Sequence, residues 1–446
     1  MHKNFTFPRQ TTRFTCGPAC LAAVSMLFGK PIKEDNIAQE VAAEDFLGTK
    51  TGAMDEWSCA NLPYKSAGEG TYSNGLAIAN IRRKESGTGH YVLILGKKND
   101  VIRYYCPLIG ETVDAPEKDI MWINSNGSLK KWSINFETDI DFYDLKISPE
   151  KHVFFLGNPL DELNIDTDTS LIIKSGYERL NIKTSWHSYT DIFIRGSVLY
   201  LSGRPVYPKD IVWLRQNPSC DTIYYTTLQQ LCHVQGFMLN KPEAILINND
   251  KKLTNFYRED NNIYTIYSER ALLTALQHMN LRGVEKYVIK PPNLFGGKDV
   301  LISDDKDEII KQMNKIIDYS GCAVVERYIP PRKNTPTDVS VIITWDRVIS
   351  AISRKATCSS GLTPYHCGSI ASEIKGLKSS ELKIIEQVQE VMRERGIFWA
   401  GLNFIEEEII EINLSCPGGL QSMNEVYSSN LEMELIDSAT KYQKNS

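Results

Sequence analysis

The sequence predicts two units of different class in one chain, an α+β unit over residues 1–145 and an α/β unit from 151 to 442, the second divided near 250. Three observations carry this. A chain of 446 residues with 42% hydrophobic content exceeds what one hydrophobic core usually organises. Before residue 150 one helical stretch is followed by short strand-like runs, whereas from 151 onward helix and strand signals alternate to the C-terminus. Between them FETDIDFYDLKISPEK, residues 136–151, is acidic and aperiodic, and reads as a linker.

Taken in order, a helix is expected from Cys16 to about Phe28, stopped at Gly29, then strands in GLAIANIRR, HYVLILGKK and VIRYYCP. HVFFLG opens the second unit as a buried strand. YVIKPPNLFGGKDVLI, residues 287–302, reads as a strand ending in Lys290, a turn at Gly296 and Gly297, and a second strand. GCAVVERYIPP is a buried strand running out at Glu326, Tyr328 and Ile329. In SSELKIIEQVQEVMRERG, Leu382, Ile385, Val388, Val391 and Met392 form a helical stripe, Ser379 or Ser380 can cap it, and Gly396 ends it. FIEEEIIEINL reads as a hairpin with Asn403 before its turn and Glu411 and Asn413 after it.

Composition excludes several classes. A net charge of −5 provides no basic footprint for nucleic acid or anionic membrane. MHKNFTFPRQ has no apolar signal segment and no run approaches the roughly 18 apolar residues of a span, so a cytoplasmic protein is expected. Ten cysteines scattered through such a chain are expected to be free thiols. Cys16 and Cys20 have no second ligand pair behind them, which argues against structural zinc.

The chemistry-bearing residues follow. A lysine beside a glycine loop, Lys290 with Gly296 and Gly297, can meet phosphate oxygens that backbone N–H groups also approach. Glu411 and Asn413, two apart on a strand, share a face and suit a hard cation such as Mg²⁺. Cys16 at a helix N-terminus is favoured as thiolate by the dipole. Gln10, six residues earlier, can offer an N–H to an oxyanion, and His90 at the opening of a core strand can act as base. On the residues alone, a buried core cysteine and a capping histidine read as well as a dyad does.

Residues 151–442 resemble a bacterial glutathione synthetase of the ATP-grasp superfamily. The similarity is carried by DTDTSLIIKSGYERLNI, DIVWLRQNPSCDTIYYTTLQQLCHVQGFMLNKPEAILINNDKKLTNF, the glycine loop, VVERYIPP and EINLSCPGG in colinear order. The resemblance implies a pre-ATP-grasp domain over 151–250, an ATP-grasp domain over 251–442, and an ADP-forming ligase that uses ATP and Mg²⁺ to join a carboxylate to an amine through an acyl phosphate. It implies that Lys251 (or Lys252) and Lys290 hold phosphates, that Glu326, Tyr328 and Ile329 frame the adenine, and that Asn403, Glu411 and Asn413 bind Mg²⁺. Arg215 and Arg354 match arginines near the acceptor and phosphate region. Asn403 stands where the family has aspartate, and KATCSSGLTPYHCGS after Arg354 lacks the family's RGN-type tripeptide. A substrate pair other than γ-glutamylcysteine and glycine is therefore expected.

Residues 1–145 are similar to the papain-like cysteine peptidases that process bacteriocin leaders, through Gln10, the run Cys16-Gly17-Pro18-Ala19-Cys20, and His90 with its apolar strand. By this resemblance Gln10 is the oxyanion donor, Cys16 the nucleophile and His90 the base. The family's aspartate before proline is here Cys106 before Pro107, so either a dyad operates or another acid such as Asp100 takes its place. The combined expectation is a bifunctional enzyme acting on small-molecule, short-peptide or carrier-bound carboxylates and amines, homo-oligomeric as the resembled synthetases are. The alternatives are a ligase with a thiol capture module, or a nucleotide-binding regulator.

Overall fold

The computed structural model describes residues 5–12, 15–43, 49–70, 72, 75–82, 89–123, 131–145, 147–149, 151–164, 168–202, 204–207, 209–248, 251, 254–258, 262–294, 296–330, 337–357 and 369–445. The chain forms two compact units, residues 1–151 with 200–207, and 152–199 with 208–446. No helix of the described residues is long and apolar enough to cross a membrane.

The first unit is built on a six-stranded antiparallel sheet in the order Tyr64–Glu69, Trp132–Phe136, Ala77–Arg82, Gly89–Lys98, Val101–Cys106, Glu111–Pro116. Period-two alternation splits the Gly89–Lys98 strand between two cores. Tyr91, Leu93 and Leu95 pack with Leu21 and Val24 of the helix Cys16–Leu27, while Val92 and Ile94 pack on the other face with Ala77, Ala79 and Trp122. Gly29, at φ 75°, follows that helix in the left-handed region glycine tolerates. The stretch expected as a linker is not one throughout. Ile147–Pro149 pairs in parallel with Phe5–Phe7, Phe5 opposite Ile147; three residues are too few to show a period in sequence.

Three sheets of the second unit position its site. The first is parallel, in the order Lys183–Ser188, His152–Gly157, Ile211–Arg215, Phe237–Leu239. The second is antiparallel, Ile263–Ile266, Ala323–Arg327, Tyr287–Lys290, Leu301–Ser303, with helices Glu269–Asn280 and Lys306–Ser320 burying Leu272, Leu276, Met279, Ile309, Met313 and Ile316 against it. The third runs Ile370–Glu373, Val348–Lys355, Thr337–Thr344, Trp399–Ile405, Glu408–Asn413. One core joins the parallel sheet to the third sheet through Phe155, Trp213, Ile342, Phe398 and Trp399. Asn240 fixes that junction, donating to the carbonyls of Trp399 and Leu414 and accepting from the N–H groups of Phe398 and Trp399.

The helix Ser379–Arg395 ends at Gly396, φ 71°. Its start differs from expectation: neither serine caps it, and Glu381 reaches back to the Lys378 N–H instead, while Ser380 bonds Glu407. Ile385, Val388 and Met392 of the expected stripe are buried, whereas Leu382 is 42% exposed because Glu381 and Gln389 complete the buried face in its place.

Candidate functional site

Lys290 and Glu326 lie on neighbouring antiparallel strands, Val288 opposite Glu326, so their side chains share a face. Lys290 Nζ sits 2.5 Å from Glu326 Oε1 and donates to the Ile410 carbonyl at 3.1 Å, linking the second sheet to the third. Arg258, a residue the motifs did not signal, stands 3.4 Å from the other Glu326 oxygen. All three are buried. Lys251 Nζ donates to the carbonyls of Pro291 at 3.0 Å and Leu294 at 2.5 Å, fastening the glycine loop from behind. Gly296 and Gly297 have φ 74° and 68°, the left-handed turn their identity permits. The Tyr328 N–H donates to the carbonyl of Lys286, whose ammonium lies 5.2 Å from the Tyr328 ring, and Ile329 is buried. Lys252, and residues 358–368 of the loop after Arg354, lie outside the described residues.

The hairpin forms as expected, with Asn403 directly opposite Glu411. Asn403 Nδ2 donates to Glu411 Oε2 at 3.0 Å, and its Oδ1 accepts from Arg354 at 3.0 Å. Arg354 is gripped by Asp338 in a two-point contact of 2.9 and 2.6 Å. Asp338 is 2% exposed and escaped the sequence reading because a lone acid at a strand start looks solvated. Asn413 Oδ1 accepts from the Cys416 N–H at 3.0 Å. Glu411 keeps Oε1 out of any hydrogen bond among the described residues, and each asparagine oxygen retains a second lone pair. No cluster of three or more His, Cys, Asp or Glu side chains gathers here among the described residues. That donor set fits Mg²⁺, which takes one or two protein oxygens and completes its octahedron with phosphates and water. Restoring a carboxylate should tighten it: Asn403→Asp is expected to lower the half-saturating Mn²⁺ concentration about tenfold in a spectroscopic titration with a non-hydrolysable ATP analogue, the added charge outweighing repulsion from Glu411.

Arg215 ends the central strand of the parallel sheet, opposite Gly157. Its Nε donates to Ser170 Oγ and its Nη2 to the Pro417 carbonyl, both at 2.8 Å, and the guanidinium lies 4.7 Å from the centre of the Trp399 ring. Arg215 is 3% exposed, has no carboxylate partner among the described residues, and leaves Nη1 buried with nothing to donate to. The Trp399 indole N–H is in the same condition.

In the first unit the thiol residues gather. Gln10 N donates to the Pro107 carbonyl at 3.0 Å, and Cys106 Sγ lies 3.3 Å from His90 Nε2. Cys16 Sγ meets the backbone N–H groups of Tyr91 and Gly17. Two expectations need correction. Cys16 is not poised as a thiolate: burial outweighs those N–H groups and pushes its pKa up to about 11. Asp100 does not replace the family's acid. It sits beyond the far end of the strand that His90 opens, 90% exposed and paired with Lys97 at 2.9 Å, about 30 Å from His90 at strand spacing. Gln10 spends one amide N–H on the Thr12 carbonyl at 2.8 Å and leaves Oε1 buried without a partner.

Comparison with known proteins identifies the class of the second unit. Residues 265–428 match the family model of the prokaryotic glutathione synthetase ATP-grasp domain. The chain is 22% identical over 310 residues to the glutathione synthetase of Coxiella burnetii, covering 63% of this chain and 94% of that one. It is 24% identical over 237 residues to that of Anaplasma centrale, covering 52% and 74%. The solved D-cycloserine synthetase DcsG shares the fold, with a TM-score of 0.51 at 11% identity over 65% of this chain and 99% of that one. Residues 265–428 thus form a glutathione synthetase-like ATP-grasp domain, and ATP-grasp ligases of this kind use ATP and Mg²⁺.

Proposed function

We propose that the protein is a bifunctional enzyme. Its ATP-grasp unit joins a small-molecule or short-peptide carboxylate to an amine, for a pair other than γ-glutamylcysteine and glycine, and its thiol unit hydrolyses or transfers a related amide. The observation that carries the ligase half is Arg215. A guanidinium buried without a counter-ion is costly, and this one ends a strand where open α/β sheets place ligands, with a donor left over for a carboxylate. In this reading a carboxylate oxygen held at Arg215 attacks the terminal phosphorus of ATP and ADP leaves. The amine then attacks the acyl carbon, phosphate departs, and the amide forms after loss of a proton. Lys290 and Lys251 neutralise phosphate charge and Arg354 the developing acyl phosphate; Glu411, Asn403 and Asn413 would hold Mg²⁺, which would supply further charge neutralisation at the phosphates.

For the thiol half, Cys16 attacks an amide carbonyl, His90 takes and returns the proton, and Gln10 receives the oxyanion with the Cys16 N–H. Cys106 occupies the position from which a third group orients the imidazole, and its contact with His90 supports that role. The high pKa of Cys16 favours a second reading, in which this unit captures substrate without turnover. Incubation of cell extract with Mg·ATP, followed by untargeted mass spectrometry of wild type against Lys290→Ala, tests the ligase half; no Lys290-dependent product sinks it. Cys16→Ala is expected to leave ADP release within about twofold of wild type and to abolish amide cleavage or transfer. A Cys16 no more reactive to iodoacetamide near neutral pH than the other thiols would select capture.

A further inference from the structure

Glu34 opens the short helix Glu34–Glu40 and is 6% exposed, an uncommon fate for a carboxylate with no cation among its contacts in the described residues. Its Oε1 accepts from the Thr11 N–H at 2.9 Å and from Thr11 Oγ1 at 3.2 Å, and the Thr15 hydroxyl also bonds to it. Thr15 holds the N-cap position of the helix Cys16–Leu27, yet its side chain makes no cap. It is turned back into the preceding loop, where Thr15 Oγ1 accepts from the Thr12 N–H at 3.1 Å. The Thr12 carbonyl in turn receives Gln10 Nε2. A single web therefore runs from Glu34 through Thr11, Thr12 and Thr15 to Gln10 at one end and to the residue before Cys16 at the other.

We infer that Glu34 is a positioning residue for the thiol centre, fixing the threonine web that lies between Gln10 and the helix start bearing Cys16. The inference rests on the thiol reading above. Holding the oxyanion donor within a fraction of an ångström of its working place requires such support, and an acceptor anchored on a separate helix supplies it. The tether titrates where cells live. Burial outweighs the donated hydrogen bonds and raises the Glu34 pKa to about 7. The titratable groups facing it among the described residues are Asp35 on its own helix and Cys20 on the first. A pKa raised above that of a free carboxyl means the folded turn holds the protonated form more tightly, so the tether is firm below pH 7 and loosens as the buried carboxylate ionises above it.

Hydrogen exchange of the full-length protein, read on peptides spanning residues 9–16, together with Cys16 alkylation rates from pH 5 to 9, tests this. In wild type, protection corrected for intrinsic exchange should fall about tenfold from pH 6 to 8, and the alkylation profile should break near pH 7; Glu34→Gln, which keeps the neutral state, should remove both features without lowering Tm at pH 6. Should Glu34→Gln fail to fold, Thr11→Val replaces it, with the fall in protection displaced to higher pH because one donor to the carboxylate is lost. Protection and alkylation profiles unchanged by substitution overturn the inference and leave the thiol reading standing. A Cys16 that never reacts in the folded wild type, yet labels in denaturant, overturns the thiol reading and the inference with it.

Discussion

Replacing Lys290 by Met is expected to cut Mg·ATP-dependent ADP release by roughly 10³-fold while also destabilising the second unit, because the lysine serves two partners. In its proposed role toward the nucleotide it would supply a fixed positive charge, and removal of one such group typically costs about 10²–10³ in turnover. Toward the protein it neutralises Glu326, which would be left buried with Arg258 at 3.4 Å as its remaining cation. Breaking a buried pair from one side costs about 3–5 kcal/mol. The two roles separate in the double variant Lys290→Met with Glu326→Gln. It should recover most of the lost Tm in calorimetry and none of the ADP release in a coupled assay. Recovery of both would mean that Lys290 only holds the fold together.

What the sequence disclosed depended on how local each signal was. The helix after Cys16, the Asn403–Glu411 hairpin and the glycine loop are set by spacing within about a dozen residues, and they form where the pattern puts them. Pairings between distant segments left no such trace. Phe5–Phe7 finds Ile147–Pro149 across the whole first unit, and Asp338 meets Arg354 through sheet register, so the acid that grips a candidate site arginine looked like surface. Burial was the other hidden quantity. The dipole argument for Cys16 was right in sign, since its neighbouring N–H groups do lower the pKa, but desolvation is larger and sets the outcome. Asp100 illustrates the same limit: ten residues from His90 in sequence, it is carried away by an extended strand.

The second large effect is expected at Arg215, and it has an unusual sign pattern. Arg215→Met should raise the apparent KM for the carboxylate substrate about 10²-fold, the scale of a lost charge-assisted pair, with ATP-analogue affinity unchanged. The same substitution should leave stability level or increase it by about 1–4 kcal/mol, because an unpaired buried cation is replaced by an apolar side chain of similar length. Two polar contacts oppose that gain, the bonds to Ser170 and the Pro417 carbonyl, and each is worth about 1 kcal/mol. A residue held for packing would lose stability on truncation and spare KM; one held for a substrate does the reverse, as groups kept against the fold's own preference do. Arg215→Lys sharpens the test, since a lysine keeps the charge but has no planar fork to reach Ser170, Pro417 and a carboxylate together. It should recover little of the KM. If Arg215→Met instead lowers Tm steeply and leaves the KM for the carboxylate intact, the acceptor lies elsewhere in the ATP-grasp unit, and the unpaired Nη1 belongs to a buried water.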